Sequence, residues 1–302
     1  MITRDAGGFL RFAQGCAADF GPPCARAAFL VTPEGFALAG ESASDNAYMD
    51  LAVAVDPLRA LAQHRELQRL LSADLPVTVF PGDPAAPDGL FPNNVFATTP
   101  GRLLLGHMRH PVRRREAERA DIRGHFAARG YSEIDLRAQP GICELTGALV
   151  IDRARGLGFA GLSERCDAAG AAAMHTAFGL RATLMFDLAP GEYHTNVVMS
   201  VLAGRALVLC PSGFADPAAA AAVTALYAPA VVELSAAQKA AFAGNCIALS
   251  PDRVWFSRAG AQCLHLQQRR TLVAAGFELA QVPLDEIEKA GGSLRCCVAE
   301  IY

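Results

Sequence analysis

The 302-residue chain is 52% hydrophobic and 19% charged, a globular composition with no disordered majority. Its net charge of −3 gives no field suited to nucleic acid or to an anionic membrane, and suits a small charged substrate better. No apolar run approaches the roughly 18 residues of a membrane-spanning helix, and the length is enough to bury a core in one large domain or two.

Residues 1–26, ending in GPPCAR, are weakly patterned and read as an N-terminal extension. Arg4, Asp5 and Arg11 interrupt the apolar core that a signal peptide would need. A strand follows in AAFLV, then a polar loop, GESASDNAYMD, rich in turn-forming residues. An Ala-rich helix over 56–73 leads into strand PVTVF. From there one unit recurs. NVFATT, PGR and LLLG read as a hairpin, followed by a charged helix over 114–129. ALVIDR, ARG and LGFAGL form a second, with a helix over 167–178 and strand ATLMFD. VVMSVL, AGR and ALVLC form a third, with a helix over 216–227 and strand VVELS. CIALS, PDR and VWFS form a fourth, with a helix over 260–275 and strand ELAQVP. Gly or Asp in the tight turns carries the hairpin chemistry, and the helices space apolar residues three and four apart. The unit is strand, strand, helix, strand, which makes the fold α/β.

A second regularity runs through the same units. Asn94, Glu144, His194, Asn245 and Cys296 are 50, 50, 51 and 51 residues apart, each heading an apolar run. Periodicity on this scale marks a repeat architecture. A rotational repeat of pseudo-fivefold order would bring five equivalent strand heads together. A thiol, an imidazole, a carboxylate and two amides would then meet around one small molecule.

The nine cysteines are odd in number and scattered, with no CxxC pair, and most sit in apolar runs as small hydrophobes. That argues against a disulfide framework and a structural zinc site, and fits a reducing, cytoplasmic setting. Cys296 stands apart, because Gly291 and Gly292 precede it and Arg295 adjoins it. Glycines permit close backbone approach, and a neighbouring cation, or a bound cationic substrate, would help the thiol to ionise. Alternation assigns its neighbour Cys297 to the core. A lone histidine is more often a surface or core residue, but His194 is in register with Cys296, and a Cys–His pair activates a thiol. Glu144 would orient His194 or bind a cation. Asn93 and Asn94 follow a proline, as turn residues do, and Arg109 precedes His110 and Pro111 in a loop, free to fork onto a carboxylate.

Taken together, PDGLFPNNVFA, HMRHPVRR, ELTGALVIDR, YHTNVVMSV, FAGNCIAL and GGSLRCCVAEIY resemble the guanidino-group-modifying superfamily. That superfamily includes arginine deiminases, amidinotransferases and dimethylarginine dimethylaminohydrolases. The chain is most similar to its citrulline-utilisation hydrolase and arginine dihydrolase branch. The resemblance spans residues 27–302. It implies a five-bladed α/β propeller (pentein) forming a single catalytic domain after the 1–26 extension. It implies Cys296 as nucleophile, His194 as general acid and base, and Glu144 as the carboxylate that binds guanidinium and supports His194. Asn94 falls where deiminases carry a guanidinium-binding aspartate and Asn196 where relatives carry a second; Asn93, Asn245, Arg109 and Arg295 complete the expected substrate-binding set. Leu145 departs from the glycine usual after the glutamate, and calls for a different backbone angle or a narrower pocket.

The resemblance implies a cysteine hydrolase that needs no metal or organic cofactor and cleaves guanidino or ureido C–N bonds through a covalent thiouronium. An amide at 94 can accept from an NH₂ group and also donate to the oxygen of citrulline, where a carboxylate could not. That favours an arginine dihydrolase, giving ornithine, ammonia and carbon dioxide. The alternatives are an arginine deiminase, a citrulline or methylarginine hydrolase, an amidinotransferase, and a non-catalytic arginine-binding protein. The expected partner is a small guanidino or ureido amino acid, with no nucleic acid and no membrane; a homo-oligomer is compatible with these features.

Overall fold

The structure is a computed structural model that describes all 302 residues. Five small sheets share one strand order. In each, two strands pair antiparallel, and a helix then returns the chain to a third strand parallel to the second, as a crossover connection requires. The first four sheets take their strands consecutively. They are Phe96–Thr99, Arg102–Leu105 and Ser132–Asp135; Leu149–Asp152, Leu157–Leu162 and Ala182–Asp187; Met199–Leu202, Ala206–Leu209 and Val231–Glu233; and Ile247–Ser250, Arg253–Ser257 and Glu278–Val282.

The fifth sheet is assembled from both ends of the chain. Ala299–Ile301 pairs antiparallel with Ala27–Val31, which pairs parallel with Val77–Phe80. Helix Pro57–Leu71, with Asp56 accepting from the amides of Leu58 and Arg59 as its cap, is the crossover of this unit. The first strand of the AAFLV segment therefore has its hairpin partner at the far end of the sequence. Residues 1–26 pack rather than trail. Ile2–Thr3 extends the second sheet by pairing parallel with Ala182–Asp187, and helix Ala6–Gln14 buries Phe9 edge-on against Phe159, ring centroids 5.7 Å apart.

Between the sheets and their helices lie apolar clusters such as Leu104, Leu149, Ala160, Met174 and Phe178. Each buried Leu, Met or Phe of this kind stabilises the fold by about 1.5–3 kcal/mol. Helices Ala168–Phe178 and Pro217–Tyr227 run close to the bounds expected from the sequence. No helix is long and apolar enough to cross a membrane.

Two helices read as continuous are broken. The charged segment 114–129 becomes Pro111–Arg114, the 3₁₀ turn Arg115–Glu118 and Ala120–Ala127. Its sequence suggests a solvated face, yet Arg113 is 2% exposed and turns inward onto Glu116 at 2.8 and 2.9 Å and onto the Phe91 carbonyl at 3.0 Å. The 260–275 segment is split into Arg258–Gln262 and Leu266–Ala274. Ser257 caps the first piece, and a capping box between His265 and Gln268 starts the second.

The five spaced polar residues also sit differently from the expectation. None opens a strand; each lies in a tight turn just before one. Glu144 and His194 occupy the N-cap position of the turns Leu145–Ala148 and Thr195–Val198. Asn94 ends the 3₁₀ turn Pro92–Asn94, and Cys296 is the third residue of Leu294–Cys297. Asn245 closes a turn by donating its amide to the Phe242 carbonyl at 2.9 Å. The near-constant spacing thus mixes residues from the start and the end of corresponding turns.

Candidate active site

Because Glu144 and His194 cap their turns from non-helical backbone, their side chains leave the turns and meet. His194 Nε2 is 2.9 Å from Glu144 Oε2, and both side chains are completely buried. Glu144 Oε1 accepts from the Arg109 backbone amide at 3.2 Å, and Arg165 Nη1 lies 3.6 Å from Oε2. Burial pushes the Glu144 carboxyl up, but Arg165 and the His194 contact outweigh it and hold the group down at about 2. Glu144 is therefore an acceptor-only carboxylate at neutral pH, which assigns the ring proton of His194 to Nε2. Burial lowers the His194 pKa despite Glu144, so the ring is neutral. Its Nδ1 carries a free lone pair and has no partner in the protein.

Asn94 Oδ1 is likewise buried without a partner. Both atoms face the same gap. A Cβ at Gly147 would lie 2.6 Å from Asn94 Oδ1 and 2.9 Å from His194 Nδ1, so no larger residue fits there. Cys296 is 1% exposed, with Sγ 3.5 Å from Asn245 Nδ2 and 3.9 Å from Asn196 Oδ1. Burial raises the thiol pKa, opposed by a backbone hydrogen bond and by Asn245. A cation placed in the adjoining cavity would draw the thiol toward thiolate. That cavity is narrow and is lined by Asp88, Asn94, Arg113, Arg165, Tyr193 and Cys296 among others.

A buried carboxylate and a neutral imidazole with a free nitrogen thus lie together, and a buried thiol borders a small charged cavity. The sequence profile of the family described as N,N dimethylarginine dimethylhydrolase, eukaryotic, matches residues 32–302. The chain belongs to this family. It is a hydrolase acting on guanidino C–N bonds. It is 28% identical, over 258 residues, to the N(G),N(G)-dimethylarginine dimethylaminohydrolase of Mycobacterium tuberculosis, covering 85% of this chain and 80% of that one. Its fold matches the N-terminal domain of ArgZ, a cyanobacterial arginine dihydrolase, with a TM-score of 0.79 at 18% identity, covering 91% of this chain and 97% of that one. It also matches a dimethylarginine dimethylaminohydrolase carrying an S-methyl-L-thiocitrulline adduct, with a TM-score of 0.70 at 20% identity, covering 92% and 100%.

The remaining expected site residues divide. Asn93, Asn196 and Asn245 tie the turns together. Asn93 Nδ2 donates to Thr146 Oγ1 at 3.0 Å, Asn196 Nδ2 to the Thr146 carbonyl at 3.1 Å, and Asn245 Nδ2 to the Asn196 carbonyl at 2.9 Å. Asn245 Oδ1 accepts from the Arg295 amide at 2.9 Å. Asn196 and Asn245 reach the sulfur as well; Asn93 does not line the cavity. Two arginines are not brought in. The Arg109 guanidinium is exposed and pairs with Glu164 at 2.8 Å, leaving only its backbone at Glu144. Arg295 pairs with Glu300 at 2.6 Å and lines a different cleft from Cys296.

The close approach allowed by Gly291 and Gly292 is to protein, Asn46 at 2.3 Å and the Phe91 ring at 3.0 Å from their virtual Cβ positions. Leu145 takes the unusual backbone angle its departure from glycine implies, with φ +30° and no exposure. Sequence reasoning missed Arg165, Asp45, Asp88 and Arg113. Arg165 lies in the loop segment SERCD. It is clamped by Asp45 at 2.6 and 3.1 Å and by the Ser42 carbonyl at 2.7 Å. Two arginines next to polar residues carry no sequence signal for burial.

Proposed function

We propose that this hydrolase is an arginine dihydrolase, converting arginine and two waters to ornithine, carbon dioxide and two ammonia molecules. The observation that carries this reading is the unpartnered Asn94 amide oxygen beside the unpartnered Nδ1 of His194. Arginine enters as a cation, with its guanidinium against Asn94 and Glu144, and its charge favours the Cys296 thiolate. His194 Nδ1 takes the thiol proton, the sulfur adds to the guanidinium carbon, an NH₂ group leaves as ammonia with that proton, and a thiouronium remains on Cys296. Water, deprotonated by His194 Nδ1, displaces the sulfur to give citrulline. The Asn94 amide group can turn to donate to the ureido oxygen, so citrulline stays for a second attack. Loss of the second ammonia leaves an S-carbamoyl adduct; its hydrolysis yields a carbamate that decomposes to ornithine and carbon dioxide. The likeness in fold to the ArgZ arginine dihydrolase supports this choice.

The same reading takes residues 27–302 as one cytoplasmic catalytic domain, with the five sheets as blades of a propeller around the site and residues 1–26 as an extension. A second reading, dimethylarginine hydrolysis to citrulline and dimethylamine, is favoured by the family match and by the M. tuberculosis relative. Incubation with arginine, citrulline and asymmetric dimethylarginine, with Cys296→Ala as blank, separates the two. Ornithine and ammonia from arginine support the dihydrolase; dimethylamine release with no turnover of arginine supports the second reading.

A further inference from the structure

The turn Leu294–Cys297 divides two cavities. Cys296 faces the one described above; Arg295 faces another, lined among others by Thr146, Arg153, Ser200, Gly204 and Tyr302. We propose that this second cleft binds one small monovalent anion, of the size of chloride or formate, held by Arg153 and Arg295. Arg153 is 8% exposed, its guanidinium stacked 4.1 Å from the Tyr302 ring centroid and 5.0 Å from that of Phe178. It forms no ion pair in the protein, and Glu300, the carboxylate of this cleft, is taken by Arg295. Glu300 Oε2 lies 2.6 Å from Arg295 Nη1, and Oε1 accepts from the Tyr302 hydroxyl at 3.0 Å.

Two buried guanidiniums thus share one carboxylate, and neither can lose its proton. The rings offset part of the cost through cation–π attraction, but a buried charge with no counter-charge is strongly destabilising. Arg295 Nη1 is already occupied by Glu300, so the unmatched charge in the cleft is that of Arg153. One surplus charge calls for one monovalent anion. Val150, Ile247 and Ala248 wall the cleft and keep the bound species small.

The test uses the full chain in gluconate buffer, an anion too large for the cleft. Crystals soaked in bromide should show an anomalous peak in contact with the Arg153 guanidinium. In solution, chloride or formate at constant ionic strength should raise the melting temperature of the wild type saturably, and should not do so in Arg153→Met. Stabilisation by chloride but not formate identifies a halide site, and the reverse a planar oxyanion site. No bromide at Arg153 at saturating concentration overturns the proposal, as does equal saturable stabilisation in Arg153→Met. Should Arg153→Met fail to fold, the bromide map alone decides.

Discussion

At His194, burial and the Glu144 carboxylate act on the ring in opposite directions, and burial wins. The pH dependence of stability follows with a definite sign. The Glu144 carboxyl is held at about 2, so its contribution is full above the ordinary glutamate value near 4.3 and is lost as pH falls toward 2. His194 is depressed, so the unfolded chain takes up its proton first, and stability starts to fall below about pH 6.5. Thermal melts should therefore be flat from about pH 7 to 8 and decline steadily below about 6.5. A maximum at acid pH would contradict this assignment. Glu144→Gln removes the acceptor that sets the tautomer, and should lower kcat by about 10²–10⁴-fold while the chain still folds. Activity within tenfold of wild type would remove Glu144 from the mechanism. Asn94→Asp places a carboxylate where the ureido oxygen must bind. Product should shift from ornithine to citrulline by amino-acid analysis, and an unchanged ratio would refute the amide argument. At Leu145 two effects compete. Leu145→Gly relieves about 1–2 kcal/mol of backbone strain but empties a buried leucine site worth about 2–5 kcal/mol. The variant should melt lower; a higher melting temperature would mean that strain dominates.

The segment Gly40–Ala43 and the residues just after it link distant turns to the site. Ser42 donates to Asp88 at 2.5 Å, Asp45 pairs with Arg165 at 2.6 Å and with His110 at 3.0 Å, and Asn46 donates to the Gly291 carbonyl at 3.3 Å. Asp45→Asn leaves Arg165 without its main counter-charge, a loss of about 3 kcal/mol for a nearly buried pair. Denaturant unfolding should report most of that loss, and a change below about 0.5 kcal/mol would mark the pair as peripheral. The hairpins, crossover helices and repeat were legible because β-rich runs flank Gly and Asp turns, and because apolar spacing distinguishes the two element types. The break near Arg113 was not legible. Burial of an arginine depends on Glu116 and on the Phe91 carbonyl, and the latter belongs to another element. The turn positions of Glu144 and His194 were hidden for a related reason. A four-residue helical turn in front of a strand has the same apolar content as the strand.

Across the whole molecule, the strand order repeats five times, and the last strand completes the first unit. The spacing of Glu144, His194 and Cys296 reflects that repeat, although their turn positions differ. The meeting of Glu144 and His194 was legible as a consequence of the repeat; Arg165 and Asp45, drawn from loops outside the strand–strand–helix–strand pattern, were not. The central claim is that the sulfur of Cys296 adds to a guanidino carbon while His194 manages the protons. Acid quench of His194→Gly during incubation with arginine, followed by intact mass and peptide mapping, tests it most directly. A mass increase should map to Cys296 and be absent in the double variant with Cys296→Ala. No adduct, or an adduct on any of the other eight cysteines, would contradict it.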